Sequence, residues 1–351
     1  MALEKCKKIL ITGGAGFMGS NFIRYLLAKY KDYQIVNLDK LTYAGNLDNL
    51  VDLAQNQRYK FVKGDITDEK IVDRLIKREK IDVICNFAAE SHVDRSILGP
   101  REFVTTDVIG VLNLLEAGRE HQIKRFIQIS TDEVYGAVES GTTSESAPFR
   151  PRSPYAASKA GGDHLVLAYY HTYNLPVVRV HSCNFYGPYQ YPEKFIPLFI
   201  TNFLEGKSVP LYGAGTQVRE WIFTQDFCRA LDLVMHKGSD GEVYNIGTGY
   251  RRTNIEVAKA LAKLSCVSEN LITKVTDRPG HDVRYALNAV KIKKLGFKPK
   301  YSFLDGLRET VKWYQNNQKW WRKIKNKQEF REYYRKQYKV TTKDKLIAKI
   351  S

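Results

Sequence analysis

Lys8-Ile9-Leu10-Ile11-Thr12-Gly13-Gly14-Ala15-Gly16-Phe17-Met18-Gly19 decides how this chain of 351 residues is read. An apolar strand pattern runs into Gly13, Gly16 and Gly19 at GxxGxxG spacing, and a helical pattern follows through Tyr30. Glycines at such a turn let the backbone approach a pyrophosphate, which then sits at the positive start of a helix. The next apolar run, Gln34-Ile35-Val36-Asn37-Leu38-Asp39, ends in an acid placed to bond an adenosine ribose diol. An acid there favours NAD over NADP, because a 2′-phosphate would meet negative charge; Lys40 beside it pulls the other way. Taken singly, the glycines also read as a tight turn and Asp39 as a solvated strand-end acid.

Outward from that stretch, strand and helix alternate. Tyr59-Lys60-Phe61-Val62-Lys63-Gly64-Asp65 reads as a third strand and residues 68–78 as a helix. Asp82-Val83-Ile84-Cys85-Asn86-Phe87-Ala88 is a fourth strand, residues 99–121 a long helix, Arg125-Phe126-Ile127-Gln128-Ile129 a fifth strand and Pro176-Val177-Val178-Arg179-Val180 a sixth. Such alternation predicts an α/β fold: a Rossmann-type doubly wound parallel sheet with helices on both faces. A smaller C-terminal substrate-binding part completes it. Residues 1–180 are expected to hold the dinucleotide, with elements from about 218–248 returning to the sheet. Residues 181–217 and 249–315 then form the substrate part, in which 185–195, rich in Tyr, Pro and Gly, reads as a binding loop. Helices are expected at 226–236, 254–264 and 303–316, and residues 316–351 form a basic, aromatic tail.

Composition narrows the function classes. No run of about 18 apolar residues occurs, so no membrane helix is expected. The N-terminus lacks a secretory pattern. Five cysteines without CxxC spacing argue for reduced thiols in the cytoplasm and against a metal site. The net charge of +17 favours anionic partners: nucleic acid, a membrane surface or phosphorylated metabolites. Much of the excess lies in the tail, where Trp320, Trp321, Phe330, Tyr333, Tyr334 and Tyr338 interleave with basic residues. That mixture could stack nucleic-acid bases. A solvated basic helix docked on the chain's own surface, or on a partner subunit, is the simpler reading.

The chemistry-bearing stretch is Ser130-Thr131-Asp132-Glu133-Val134-Tyr135-Gly136, at the C-terminal end of the fifth strand, where open α/β sheets bind ligands. Ser153-Pro154-Tyr155-Ala156-Ala157-Ser158-Lys159 then starts a helix, with serine as cap and proline in the first turn. Tyr155 and Lys159 share one of its faces. A tyrosine beside a cationic lysine and a cationic nicotinamide is expected to have a lowered pKa. It could then take a substrate hydroxyl proton as hydride leaves for NAD⁺, with Thr131 bonded to the same oxygen. Asp132 and Glu133 exceed what alcohol oxidation needs. A ketone acidifies its neighbouring C–H, so a carboxylate could remove that proton while a carboxylic acid protonates a departing hydroxyl. Adjacent strand residues point to opposite faces unless a turn intervenes. Tyr155 and Lys159 also read as a surface helix pair, and the two acids as caps of the next segment.

Together these residues resemble the extended short-chain dehydrogenase/reductase superfamily and, within it, the nucleoside-diphosphate-sugar 4,6-dehydratases, most closely those acting on dTDP-glucose. The likeness covers roughly residues 7–315. It is carried also by Ala88-Ala89-Glu90-Ser91-His92-Val93-Asp94-Arg95-Ser96, Tyr186-Gly187-Pro188-Tyr189-Gln190-Tyr191-Pro192-Glu193-Lys194 and Asp277-Arg278-Pro279-Gly280-His281-Asp282. GxxGxxG and YxxxK specify the superfamily; the Thr-Asp-Glu triplet separates dehydratases from epimerases and decarboxylases. The resemblance implies Tyr155, assisted by Thr131 and Lys159, as base at O4, Glu133 as base at C5 and Asp132 as acid at the C6 hydroxyl. It implies an NAD site at Gly13, Gly16, Phe17, Met18, Gly19, Asp39, Lys40, Thr42, Asp65, Ile66, Ala88, Thr106, Tyr155 and Lys159. Substrate contacts are implied at Ser91, Thr131, Asn184, Lys194, Arg219, Asn254, Arg278 and His281, and a homodimer through the 99–121 and Tyr155 helices. UDP-glucose, another nucleotide hexose, or a 4-epimerase or decarboxylase activity are the alternatives within enzymes. A nucleotide- or nucleic-acid-binding protein on the same fold is the alternative outside them. Three positions depart from the family pattern: Phe185 and Asp107 stand where Asn is usual, and Phe227 where His is typical.

Overall fold

The structure, a computed structural model, describes residues 7–277 and 281–338. The first half alternates as the apolar runs require. β1 (Lys8–Thr12), α1 (Phe17–Lys29), β2 (Gln34–Asp39), β3 (Tyr59–Lys63), α2 (Glu69–Glu79) and β4 (Val83–Asn86) lead to a short α3 (Val93–Leu98). The helix expected over 99–121 runs from α4 (Pro100–Val104) to α5 (Val111–Glu120), but a π turn at Thr105–Gly110 interrupts it. β5 (Arg125–Thr131), α6 (Pro154–Tyr173) and β6 (Val177–Ser182) follow. Ser153 Oγ accepts the Ala156 N–H at 3.1 Å and Pro154 fills the first turn, so α6 begins where its capping residues placed it.

The second half carries β7 (Asn184–Tyr186), α7 (Phe195–Leu204), β8 (Val209–Tyr212), β9 (Val218–Phe223), α8 (Thr224–Lys237), β10 (Val243–Ile246) and β11 (Arg251–Thr253). It continues with α9 (Asn254–Leu264), β12 (Ile272–Val275), α10 (Val290–Lys294), α11 (Phe303–Asn316), α12 (Gln318–Lys325) and α13 (Gln328–Tyr338). Seven parallel strands make the central sheet in the order β10-β6-β5-β4-β1-β2-β3. Strand order reverses between β1 and β4, which opens a crevice at the sheet's C-terminal edge. Of residues 218–248, expected to return to this sheet, only α8 and β10 do so. β9 instead pairs in parallel with β7 (Asn184 opposite Trp221) and antiparallel with β11 (Arg251 opposite Glu220) in a separate three-stranded sheet. Among the described residues no helix is long and apolar enough to cross a membrane.

Two buried clusters flank the central sheet, and a third lies under the small sheets. The third corrects the picture of the tail. Trp321, Ile324 and Phe330 are buried in it, Tyr333 is buried beside His92, and Trp321 Nε1 donates to the Tyr314 carbonyl at 2.8 Å. α12 and α13 turn most of their basic residues outward and their apolar ones inward, so the tail's described part completes a core; Lys325 is the exception, its ammonium tied to Glu205 at 2.8 Å. Residues 339–351 lie outside the described residues. Trp321→Ala is therefore expected to cost about 3–5 kcal/mol in equilibrium urea unfolding; an unchanged midpoint would mean the tail stabilises nothing.

Candidate active site

The cofactor end is built on the glycine turn. Gly13 has φ +66°, and a Cβ there would lie 2.7 Å from the Ala88 amide nitrogen. A Cβ on Gly19 would lie 2.5 Å from the Gly13 carbonyl, so the turn folds directly onto the helix it starts. Gly16 caps α1 and brings no side chain to the helix's first-turn amides. Asp39 is tied to this turn: Oδ2 accepts Ala15 N–H at 2.9 Å and Oδ1 accepts Leu41 N–H at 2.8 Å. Burial raises its pKa and these two donors oppose the rise. The Lys40 ammonium pairs with Asp65 at 2.7 Å, so it is engaged within the protein rather than offered to a 2′-phosphate. Asp65 also accepts Thr67 N–H at 3.0 Å; burial raises its pKa, but Lys40 and these donors together hold it below the usual value. Gly13, Gly16, Phe17, Met18, Gly19, Asp39, Lys40, Thr42, Asp65, Ile66, Ala88 and Thr106 all line one cavity of about 440 Å³. A bare glycine cradle at a helix N-terminus, with a buried acid on the neighbouring strand, fits a dinucleotide.

The chemical end lies along the same cavity. β5 stops at Thr131, and Asp132–Tyr135 form one 3-10 turn. The turn removes the strand alternation that would have parted the acids, and both Asp132 and Glu133 line the cavity. Thr131 is the cap: its Oγ1 accepts the Glu133 N–H at 3.2 Å and donates to Asp132 Oδ1 at 3.3 Å. Asp132 is 4% exposed, and its Oδ2 has no hydrogen-bond partner. Burial first, then Glu133 and Glu220, push its pKa well above the carboxylate range, against the pull of Arg219. The fold thus favours the neutral form of Asp132.

Tyr155 and Lys159 line the cavity from α6. Lys159 Nζ donates to the Ile129 carbonyl at 2.8 Å, joining that helix to β5. The lowered pKa expected for Tyr155 is not what the protein alone produces. Burial, followed by the charges of Glu133 and Asp107, pushes the phenol well above its ordinary value, and the Thr131 hydroxyl only partly opposes them.

Ser91, Asn184, Lys194, Arg219, Asn254 and His281 line the remaining wall; Arg278 lies outside the described residues. Lys194 Nζ donates to the Ser91 carbonyl at 2.6 Å. Arg219 is buried over the Tyr285 ring, 4.5 Å from its centroid, and donates to the Val218 and Asp282 carbonyls. His281 Nδ1 meets Asp277 Oδ1 at 2.6 Å. Asn184 Oδ1 is buried without a partner. The sequence reading gave no site role to Tyr43, Glu90 or Glu193 and set Tyr338 among the tail aromatics; all four also line the cavity. Glu90 lies in the loop just after β4, and that position beyond a strand's C-terminal end was the available signal. Burial, with Asp107 and Glu102 nearby, raises its pKa to about 7.

Two of the three departures from the family pattern are a single change. Phe185 and Phe227 pack edge to face with ring centroids 4.5 Å apart, so one apolar contact occupies both positions. The third, Asp107, lies in the π turn, where it accepts the Glu90 N–H at 3.2 Å and the Ser158 hydroxyl at 2.8 Å.

This sheet, glycine turn and Tyr–Lys helix define a short-chain dehydrogenase/reductase enzyme of the sugar-nucleotide type. The family model for GDP-mannose 4,6 dehydratase matches residues 10–310, and the chain belongs to that family. It is 48% identical over 327 residues to a dTDP-glucose 4,6-dehydratase of Streptomyces niveus, covering 92% of this chain and 97% of that one. It is 50% identical over 306 residues to the low-salt glycan biosynthesis protein Agl12 of Haloferax volcanii, covering 87% and 98%. Among solved structures, DesIV, the dTDP-glucose 4,6-dehydratase of Streptomyces venezuelae crystallised with NAD, superposes with a TM-score of 0.88 at 48% identity, covering 90% and 99%.

The raised pKa of Asp132 sets a direction for stability. The fold favours its neutral form. The stability it lends is therefore complete below the unfolded carboxyl value of about 3.9 and is lost as pH rises through the elevated folded value. Asp132→Asn, permanently neutral, should gain on the natural protein as pH is raised from about 4. Urea midpoints compared across that range check this, and a constant difference would refute it.

Proposed function

We propose that this chain converts dTDP-glucose to its 4-keto-6-deoxy derivative by internal oxidation, loss of water and reduction. The observation that carries the reading is Asp132 beside Glu133 in one turn, both in the cavity that Tyr155 enters. NAD, when bound, supplies the acceptor and later the donor of hydride, together with a positive charge beside Tyr155. The phenolate of Tyr155 takes the proton from the C4 hydroxyl while Thr131 bonds the same oxygen. Glu133 then removes the C5 proton, made acidic by the new ketone, and neutral Asp132 gives its proton to the departing C6 hydroxyl. Water leaves, and a proton is restored at C5 as C6 is reduced. Arg219 and Lys194 are the cations for the nucleotide diphosphate. The nucleotide is taken as dTDP because several relatives with that stated activity are 44–49% identical over about nine-tenths of this chain.

A homodimer through α4, α5 and α6 accompanies this reading. Leu98, Val104 and Ile109 on that side are 56%, 49% and 45% exposed, an apolar group that a second copy would cover. The free thiols of Cys85, Cys183, Cys228 and Cys266 suit a reducing, cytoplasmic setting. With Trp321, Phe330 and Tyr333 turned inward, the tail is better read as a helix pair on the chain's own surface than as a nucleic-acid platform.

Incubated with dTDP-glucose, UDP-glucose and other nucleotide hexoses, the protein should release one water from dTDP-glucose alone, read by mass spectrometry. Asp132→Asn and Glu133→Gln should each lower kcat by about 10²–10⁴-fold. An unchanged mass with inverted C4 stereochemistry would mean an epimerase and end the roles given to both acids. Sedimentation equilibrium should report a dimer that a Val104→Asp, Ile109→Asp double variant converts to monomer; a natural protein that sediments as a monomer would rule the interface out.

A further inference from the structure

A buried polar chain lies directly beneath the acid–base turn. Ser130 Oγ donates to Asp163 Oδ2 at 2.6 Å, and His181 Nε2 meets the same oxygen at 3.0 Å. His181 Nδ1 lies 2.6 Å from the Tyr135 hydroxyl, which donates to Asn245 Oδ1 at 3.0 Å. Ser130 immediately precedes Thr131, and Tyr135 closes the 3-10 turn. Both ends of the turn that carries Asp132 and Glu133 are therefore tied to one set of interior groups. Asp163, His181 and Asn245 are 0% exposed, and none of them lines the cavity.

The bonds have a fixed polarity. Asn245 Nδ2 donates to the Thr143 and Asn288 carbonyls at 3.0 and 3.3 Å, which leaves its Oδ1 as the acceptor. The single Tyr135 proton goes there, so the Tyr135 oxygen must accept from His181 Nδ1–H. The remaining proton lies between His181 Nε2 and Asp163, whether as imidazolium and carboxylate or as the neutral pair. The imidazole is held by packing as well: its ring centroid is 5.0 Å from that of Tyr135 and 5.5 Å from that of Phe149. A shift of the turn in either direction would break a bond where no water can replace it.

The chain also joins the turn to the base. Asp163 lies four residues beyond Lys159, itself four beyond Tyr155, so the three share one face of α6. Lys159 grips the Ile129 carbonyl and Asp163 grips the Ser130 hydroxyl, two consecutive residues of β5. His181 and Asn245 anchor the same chain to β6 and β10.

We propose that Asp163 and His181, acting through Ser130 and Tyr135, are positioning residues that set the acid–base turn against Tyr155. The inference rests on the roles given above to Asp132 and Glu133. A displacement of about 1 Å at a reacting group can cost on the order of 10²-fold in rate. The elimination depends on both acids of the turn, whereas removal of the C4 hydrogen depends chiefly on Tyr155 with Thr131 assisting, so loosening the turn should slow the first more than the second.

The experiment follows the holoenzyme turning over dTDP-glucose, with reduced cofactor detected by its near-ultraviolet absorbance. Asp163→Asn and Tyr135→Phe should each lower kcat about 10- to 100-fold, with KM moving less than about twofold. Reduced cofactor should accumulate during turnover, which a general loss of stability would not produce. Unchanged kcat in folded variants, or a fall without that accumulation, overturns the proposal. Should Asp163→Asn fail to fold, Tyr135→Phe decides, since it keeps the ring and loses only the hydroxyl. Glu133→Gln runs alongside. If it forms product at the natural rate, the acid–base assignment has failed; if it is impaired while the other two are normal, only the positioning role has.

Discussion

One hydrogen bond, from the Lys159 ammonium to the Ile129 carbonyl at 2.8 Å, joins the helix of the proposed base to the strand that delivers the proposed acid pair. The ammonium is nearly buried, and a charge taken out of water must be compensated where it lies. The carbonyl supplies part of that compensation, and the buried carboxylate of Asp107 lies close enough to interact with it. Moving α6 away from β5 would strand the charge. The spacing between Tyr155 and the 132–135 turn is therefore set by the solvation of Lys159 as much as by side-chain packing.

The same burial sorts the acids. Burial keeps water from Asp132, and the negative charges of Glu133 and Glu220 oppose its ionisation, so its neutral form is favoured. Glu133, one residue later, is only partly buried and has its backbone N–H held by Thr131. Two adjacent carboxyl groups in unlike surroundings can take unlike roles, which a single environment would not allow. Burial raises Tyr155 as it raises Asp132, so under the proposed roles a positive charge beside the phenol would be needed to favour its ionisation. Activation is in this way tied to a loaded site.

Local signals made the first half of the fold legible. Strands buried on both faces read as unbroken apolar runs, and Ser153-Pro154 marked the start of α6 within a residue. Pairing partners were not legible. The run Trp221-Ile222-Phe223 is as apolar as any central strand, and nothing within it says that it joins β7 rather than β6. The tail was only partly legible for a related reason: its basic residues dominate the composition, while the inward stripe of Trp321, Ile324 and Phe330 needs a core to pack against before it has meaning. At the site, residue types and strand-end positions disclosed Asp132, Glu133, Tyr155 and Lys159. The pKa of Tyr155 did not follow from them, because the charges that raise it come partly from Asp107 in a distant helix.

The departures from the family pattern obey the same division between local and long-range information. Forty-one residues separate Phe185 from Phe227, and in sequence they look like two independent losses of a polar group near a cofactor. In space they are one contact, an edge-to-face pair of rings with centroids 4.5 Å apart. Asp107 is likewise partnered, since the Ser158 hydroxyl and the Glu90 amide both donate to it. Each of the three residues has a partner within this fold, a ring for each phenylalanine and two donors for Asp107, and none of them belongs to the acid pair or the Tyr–Lys face.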